Sequence, residues 1–196
     1  MPEPRIQTGL PEALRPAAAR LYWQAFGGKL GFVLGPEARA LRFLERVIRA
    51  DHVIVALGPR DQLLGIAGFK TPQGSFANGK PGDLAAIYGT IGALWRRALL
   101  GWLSDGLDND RFLLDGISVA AEARSQGLGA ALLSAICAEA QARGYDQVRL
   151  DVIDTNWRAV ALYKRLGFVV TNRQSIGPLR LVFGFASATT MVRHLP

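Results

Sequence analysis

The sequence predicts an α/β domain, and two patterns lead to that fold class. Residues 52–57 and 63–69 are two apolar runs joined by Gly-Pro-Arg-Asp, which is typical of an antiparallel hairpin. Residues 112–153 have the order strand, glycine-rich loop, helix, strand, which is typical of a parallel βαβ unit. With 196 residues, of which 49% are hydrophobic, the chain has the size and core of one domain.

The N-terminal half supplies the hairpin and two helices. Apolar residues recur at helical spacing from residue 11 to about residue 26, and we expect Gly27 and Gly28 to end this helix. A second helix is expected over about 36–49, and residues 4–8 suit a short first strand. Residues 71–82 have the composition of a loop.

The segment 83–104 is long and apolar, so a membrane span has to be considered. The adjacent Arg96 and Arg97 near its middle would each cost about 2.5–3.5 kcal/mol in a bilayer. We therefore expect no membrane partner and predict an amphipathic helix, broken at Gly92 or Gly101. Its apolar stripe is Leu84, Ile87, Ile91, Leu94, Trp95, Ala98 and Trp102.

The C-terminal half alternates between strands and helices. A polar loop over 106–111 leads to a strand over 112–119, and a helix over about 128–143 ends at Gly144. The remaining elements are a strand over 147–153, a helix over about 156–166 capped by Gly167, and strands over 168–171 and 189–194.

Composition excludes several function classes. The net charge of +7 favours a polyanionic partner, but the basic residues are scattered, which disfavours nucleic acid. Two histidines and one cysteine give no metal-ligand spacing, so we expect no metal. The lone cysteine and the absence of an apolar leader after a basic start fit a reducing, cytoplasmic compartment.

The stretch ARSQGLGAAL, residues 123–132, joins the predicted strand 112–119 to the helix that follows. Free N–H groups and the positive end of the helix dipole favour an anion at such a position. Gly127 and Gly129 tolerate unusual backbone angles and close approach of a ligand, and Arg124 adds positive charge. The loop is therefore a candidate cradle for a diphosphate, with an empty glycine-rich turn as the alternative.

Two known phosphate loops match poorly. A dinucleotide fold needs a third glycine or alanine where Leu132 stands and a shorter step from the strand, although Asp151 imitates its ribose-binding acid. A Walker loop needs Gly-Lys-Ser/Thr, whereas Ala130 and Ala131 follow Gly129.

Three features in the correct order resemble the GNAT superfamily of N-acetyltransferases. Arg124-x-x-Gly127-x-Gly129 matches the family signature, with Ser125 in place of a frequent glycine. The strand that ends at 117–119 and the run DTNWRAVALYKRLGF, residues 154–168, also resemble the family. The likeness is close over 112–171 and weaker over 4–70, while 71–111 is longer than the usual connection.

The resemblance implies a mixed, twisted central sheet flanked by helices, whose fourth and fifth strands splay apart to hold acetyl-CoA. Residues 1–196 would form a single domain with an apolar helical insertion at about 71–111. A strand N–H would polarise the thioester carbonyl, and the strand backbone would bond the pantetheine arm. The implied cofactor-binding residues are Ile117, Ser118, Val119, Arg124, Ser125, Gln126, Gly127, Leu128, Gly129, Ala130, Asn156 and Tyr163.

The resemblance also nominates catalytic groups. Tyr163 would protonate the departing thiolate, unless it is only a packed aromatic residue. Asp115 alternates onto the face of Ile117 and Val119 and is the candidate base, with Asp151 or a water chain as alternatives. Cys137 lies on the inward stripe of its helix, which indicates a core thiol rather than an acyl-cysteine nucleophile.

The function that follows is transfer of an acetyl group from acetyl-CoA to a primary amine, by direct attack in a ternary complex. Transfer of another acyl group and a non-catalytic acyl-CoA-binding module remain alternatives. We expect the segment 83–104 to roof the acceptor site or to form a homodimer contact, since Trp95 and Trp102 would otherwise be exposed.

Overall fold

A computed structural model describes residues 4–77, 79–103, 111–175, 177 and 185–196. The helices are α1 (Arg15–Leu34), α2 (Glu37–Val47), α3 (Pro81–Leu103), α4 (Leu128–Ala142) and α5 (Trp157–Arg165). The strands are β1 (Arg5–Thr8), β2 (Val53–Leu57), β3 (Leu63–Thr71), β4 (Phe112–Val119), β5 (Gln147–Ile153), β6 (Val169–Ser175) and β7 (Ser187–His194). A two-residue strand, Gly74–Ser75, lies beside β3.

The eight strands form one mixed sheet with the order β1-β2-β3-β4-β5-β7-β6, apart from the short strand. Every neighbouring pair is antiparallel except β4 and β5, which are parallel. This arrangement confirms the predicted fold class of a mixed sheet flanked by helices. The parallel pair is joined through α4, as the βαβ pattern predicts.

Helices cover both faces of the sheet. The α4 helix packs across β1 to β5 on one face, and α1 packs on β3 and β4 on the other face. The main core contains Ala18, Leu21, Ile66, Leu132 and Ile136, all of which are buried. The α2 and α3 helices add an outer layer on α1, with a second apolar cluster between them.

The prediction that Gly27 and Gly28 end the first helix is wrong. The helix continues to Leu34, and the two additional turns bury Val33 and Leu34 in the second cluster. A glycine within a helix costs about 1 kcal/mol relative to alanine, and burial of two large apolar side chains outweighs that cost.

The predicted helix over 83–104 is present, but it breaks at Gly89 rather than at Gly92 or Gly101. Gly89 has φ 72° and ψ 166°, so the helical phase changes there. Leu84 is buried in the second cluster, whereas Ile91, Leu94 and Trp95 are exposed. The predicted single stripe is therefore wrong, because the second half of α3 turns those residues outward. The side chain of Trp102 and the predicted loop residues 106–110 lie outside the described residues.

Two smaller boundaries also differ from the sequence prediction. The segment 71–82 is not wholly loop, because Gly74–Ser75 pairs with the end of β3. The strand expected over 168–171 extends to Ser175, because it pairs with β7 along its length.

Glycine allows α1 to approach the sheet at the centre of the fold. Gly68 of β3 is paired with Gly116 of β4. A Cβ atom on Gly68 would lie 2.7 Å from the buried ring of Phe76, and one on Gly116 would lie 2.7 Å from the ring of Phe26 in α1. The two glycines therefore make room for an aromatic layer between α1 and the strands.

We predict that Gly68→Ala destabilises the protein by about 1–3 kcal/mol, because the added methyl group overpacks a fully buried ring. Gly28→Ala is the matched control, since no atom lies within 4 Å of its Cβ position in α1. The control should raise the free energy of unfolding by as much as about 1 kcal/mol. Urea unfolding measures both values, and a Gly68→Ala variant as stable as the wild type would contradict the close approach.

Candidate functional site

The β4 and β5 strands are paired only at their first residues. Phe112, Leu113 and Leu114 are in register with Val148, Arg149 and Leu150, and the pairing then stops. β4 stays paired with β3 as far as Val119, and β5 stays paired with β7 as far as Ile153. The two strands therefore splay apart after Leu114 and Leu150, and the facing backbone edges of 115–119 and 151–153 have no partner strand.

The glycine loop lies after the end of β4 and begins α4. Ser125 has φ 61° and Gly127 has φ 80°, so both lie in the left-handed region that favours glycine. The N–H groups of Ala130 and Ala131 donate to the carbonyl of Gly127. Within the described part of the chain, the N–H groups of 125–129 have no carbonyl acceptor. They form a concentrated set of free donors at a helix N-terminus, which suits an anion.

Hydrogen bonds from the side chains of Arg124 and Gln126 hold the glycine loop in place. Arg124 donates from Nε to the carbonyl of Val119 at 3.1 Å, which ties the loop to the end of β4. Gln126 donates from its amide to the carbonyl of Glu122 at 3.0 Å.

A Cβ atom on Gly129 would lie 3.2 Å from Leu162, so a small residue there lets α5 pack against the start of α4. No atom lies within 4 Å of the Cβ position of Gly127, so the space in front of it is open.

The three strand residues nominated from the sequence lie along the open edge of β4. Ser118 is buried and donates from Oγ to the carbonyl of Leu21 at 3.1 Å, which fixes β4 to α1. Ile117 and Val119 are partly exposed and pack against the main core. Their backbone borders the gap that opens after Leu114.

Asp115 lies at a β-bulge. Gly116 pairs with Gly68 and Leu114 pairs with Phe69, so Asp115 is the extra residue between two consecutive pairs. Burial, and secondarily the charge of Asp115, raises the pKa of Tyr22 in α1, so the carboxylate lies near that phenol. The bulge interrupts the regular ladder on which the expected alternation of Asp115 with Ile117 and Val119 rests, so their shared face stays a prediction.

Asp151, the alternative base, is held by its neighbours at the same level of the gap. Thr190 of β7 donates from Oγ1 to Asp151 Oδ1 at 2.5 Å. Arg149 Nη2 lies 3.3 Å from Asp151 Oδ2. Both carboxylate oxygens of Asp151 therefore accept hydrogen bonds from neighbouring side chains.

The α5 helix carries the other two nominated residues. Asn156 is its N-cap, and its side-chain oxygen accepts from the N–H of Ala159 at 3.3 Å. Tyr163 is 5% exposed, and its ring centroid lies 6.0 Å from that of Phe168. Burial raises the pKa of Tyr163 to about 12, so the phenol keeps its proton throughout the neutral range.

The single cysteine is a core residue. Cys137 is buried in α4, and Arg193 Nη1 lies 3.7 Å from its Sγ atom. Burial raises the pKa of the thiol despite this nearby charge. A thiol whose pKa is raised is a poor nucleophile, which agrees with the prediction of a core thiol.

The sequence missed two contributors to the site. Tyr22 was visible only as one member of a helical stripe, and nothing in its spacing links it to Asp115. Asp154 accepts from the N–H groups of Ala186 and Ser187, which fastens β7 to the chain just beyond β5. Its position two residues before Asn156 in an otherwise matched run was the only available signal.

Two classes of feature are absent from the described residues. No helix among them is long and apolar enough to cross a membrane. In the same part of the chain, no group of three or more histidine, cysteine or acidic side chains is arranged to hold a metal ion.

Comparisons with solved structures find the same fold. A Corynebacterium glutamicum protein described as histone acetyltransferase HPA2 and related acetyltransferase is 20% identical with a TM-score of 0.69, covering 100% of this chain and 99% of its own. The ribosomal-protein-S18-alanine N-acetyltransferase of Escherichia coli is 18% identical with a TM-score of 0.60, covering 97% and 93%. A GNAT acetyltransferase of Elizabethkingia anophelis with acetyl-CoA bound is 12% identical with a TM-score of 0.50, covering 73% and 75%.

One of two sequence comparisons finds a match, and that match agrees with the fold. A comparison with curated proteins gives no match. The family model described as the acetyltransferase (GNAT) family matches residues 16–168, which include α1, the splayed strands, the glycine loop and α5. The chain therefore belongs to the GNAT family of acetyltransferases.

Proposed function

We propose that the protein transfers the acetyl group of acetyl-CoA to a primary amine of a small molecule or peptide by direct attack in a ternary complex. Membership of the family implies acyl transfer from acetyl-CoA in general. The observation that carries the proposal is the gap between β4 and β5, which leads to the free N–H groups of 125–129. An extended amide-containing arm with a diphosphate at one end matches both parts.

Residues of the gap and of the glycine loop would contact different parts of acetyl-CoA. The backbone of Ile117 and Val119, which has no partner in β5, would bond the pantetheine amides, beside the buried Ser118. The loop residues would bind the diphosphate through their N–H groups, and they are Arg124, Ser125, Gln126, Gly127, Leu128, Gly129 and Ala130. Asn156 would contact the arm through the part of its amide that the helix cap leaves unused.

Release of free thiol from acetyl-CoA, measured across a panel of primary amines, tests the proposal. Thiol release that depends on the amine, with an acetylated amine as product, is the expected result. Turnover only with a longer acyl-CoA would mean that the protein transfers another acyl group instead of acetyl. Tight binding of acetyl-CoA with no turnover on any amine would favour a non-catalytic binding module.

We expect Arg124→Glu to weaken acetyl-CoA binding by about tenfold or more, which corresponds to about 1.4 kcal/mol. The substitution places a negative charge beside the diphosphate and removes the hydrogen bond to Val119. Arg60→Glu is the matched control, because it makes the same charge change in the exposed hairpin turn. Calorimetry showing equal affinity for both variants would contradict the cradle.

Asp115 is our candidate for the general base. It is exposed at the level where the strands separate, and it lies on the bulge rather than in the regular ladder. An incoming ammonium group has to lose a proton before it attacks, and a carboxylate at the mouth of the gap can accept that proton or pass it to water. Asp151, whose carboxylate oxygens contact Thr190 and Arg149, is the alternative candidate.

If Asp115 is the base, Asp115→Asn should lower kcat/KM by about 10²-fold at neutral pH, within the usual range for general base catalysis. The loss should shrink as the pH rises, because a free amine then needs no base. Asp61→Asn is the control, since Asp61 is an exposed aspartate at the hairpin turn. A uniform loss at every pH would indicate a structural role for Asp115 instead.

Tyr163 is our candidate for the proton donor to the leaving thiolate. Sulfur leaves as an anion when the tetrahedral intermediate collapses, and an anion in an apolar gap is poorly stabilised. The hydroxyl of Tyr163 carries a proton at neutral pH, as an ordinary tyrosine does, and burial raises its pKa further, to about 12. Its position two helical turns after Asn156 supports a shared orientation of the two residues.

We expect Tyr163→Phe to fold normally, to bind acetyl-CoA nearly as well as the wild type and to lose about 10²-fold in kcat. Phenylalanine keeps the ring that packs near Phe168 and removes only the donor. Tyr145→Phe is the matched control, because that ring packs on Phe112 in the core. A wild-type kcat in Tyr163→Phe, with chemistry rate-limiting, would leave water as the proton donor.

We treat residues 1–196 as a single acetyltransferase domain in which the segment at about 71–111 is an apolar helical insertion. Its helix α3 packs on α1 and α2, and the shared apolar cluster includes Ile153 at the end of β5 and Phe185 just before β7. These contacts support a role for the first half of α3 in covering the acceptor side of the gap.

A further inference from the structure

Four large apolar side chains form an exposed surface at α1 and α3. They are Phe32 at 66% exposed, Ile91 at 86%, Leu94 at 74% and Trp95 at 40%. The rings of Phe32 and Trp95 are 6.4 Å apart, so the surface is continuous between the two helices. We call these four residues the α1–α3 patch. Exposed apolar patches of this kind mark interaction sites more often than chance.

The patch is presented by a rigid support rather than by a loose helix. Arg96 donates from Nε to the carbonyl of Val33 at 2.7 Å, and Tyr88 donates to the carbonyl of Leu34. Both bonds satisfy carbonyl groups at the C-terminal end of α1. The opposite side of α3 is buried at Ala93 in the second cluster. The outward direction of Ile91 and Leu94 is therefore fixed by the Gly89 break and by these contacts.

The charged residues of α1 and α3 are mostly basic. The α1 helix contains no acidic residue, and the only one in α3 is Asp83 at its beginning, which is paired with Arg46. The guanidinium of Arg96 lies 4.2 Å from the ring centroid of Trp95, and the neighbouring Arg97 is exposed. The next acidic residue along the chain is Asp105, which lies outside the described residues. Aromatic, aliphatic and arginine side chains thus share one surface.

This charge pattern discriminates between partners. In a two-fold dimer through the patch, the same surface would face itself, and the arginines of one copy would approach those of the other. The net charge of +7 adds repulsion at longer range. An anionic lipid surface accepts the apolar side chains and neutralises the arginines at the same time.

We propose that the α1–α3 patch binds the anionic surface of a lipid bilayer, with Ile91, Leu94 and Trp95 among the headgroups and Arg97 at the lipid phosphates. This peripheral contact needs no spanning helix, and it revises the expectation of no membrane partner, which considered only a span. The inference is independent of the proposed function, because none of these residues belongs to the gap or to the glycine loop.

Sedimentation with phosphatidylcholine vesicles, with and without phosphatidylglycerol, tests the inference. The full chain should bind only the anionic vesicles, and binding should weaken as salt is added. The double variant Ile91→Ser, Leu94→Ser and the single variant Arg97→Glu should each lose about tenfold or more in vesicle affinity. Circular dichroism spectra and urea unfolding like those of the wild type verify that the variants are folded.

Matched controls separate the patch from general basic attraction. Val169→Ser with Val170→Ser removes two exposed apolar side chains from β6, and Arg173→Glu reverses an exposed charge on the same strand. Both controls should bind anionic vesicles like the wild type. The proposal is overturned if the wild type does not bind anionic vesicles at low salt, or if controls and patch variants lose affinity equally. Light scattering that finds a wild-type dimer and a monomeric Ile91→Ser, Leu94→Ser variant would also overturn it, in favour of a second copy.

Discussion

Backbone hydrogen bonding between β4 and β5 stops after Leu114 and Leu150, and the candidate site depends on this interruption. Each strand is kept in place by its other neighbour, since β4 is paired with β3 and β5 with β7. The gap is therefore a stable feature of a folded sheet. Its unpaired backbone groups require other partners, because buried N–H and C=O groups left without hydrogen bonds are costly. An extended ligand with its own amide groups can supply those partners.

The interruption coincides with two other features of β4. The bulge at Asp115 increases the local twist, and Gly116 lets α1 approach on the side of Phe26. The far end of the strand is fixed by the hydrogen bonds from Ser118 to Leu21 and from Arg124 to Val119. One short segment of chain thus borders the gap, exposes a carboxylate at its mouth and leads into the loop of free N–H groups.

The sequence predicted the elements whose signals are local. The hairpin, the βαβ unit and the glycine loop follow from turn chemistry and alternation, and the structure contains all of them. The errors arose where tertiary packing decided the outcome. Because Val33 and Leu34 are buried, α1 continues past two glycines, and the Gly89 break changes the helical phase of α3. The bulge at Asp115 interrupts the regular β4 ladder, which the sequence also did not predict. None of these effects has a periodic signature in one sequence.

Hydrogen exchange of backbone amides with and without acetyl-CoA tests the central claim most directly. The account predicts that acetyl-CoA slows exchange in two segments, the end of β4 over 115–119, which does not pair with β5, and the glycine loop over 125–129. Exchange in the paired segment 112–114, whose partners are already present in the sheet, should be unchanged. Protection confined to other parts of the chain, or none at saturating acetyl-CoA, would contradict the assignment of the gap between β4 and β5 as the acetyl-CoA site.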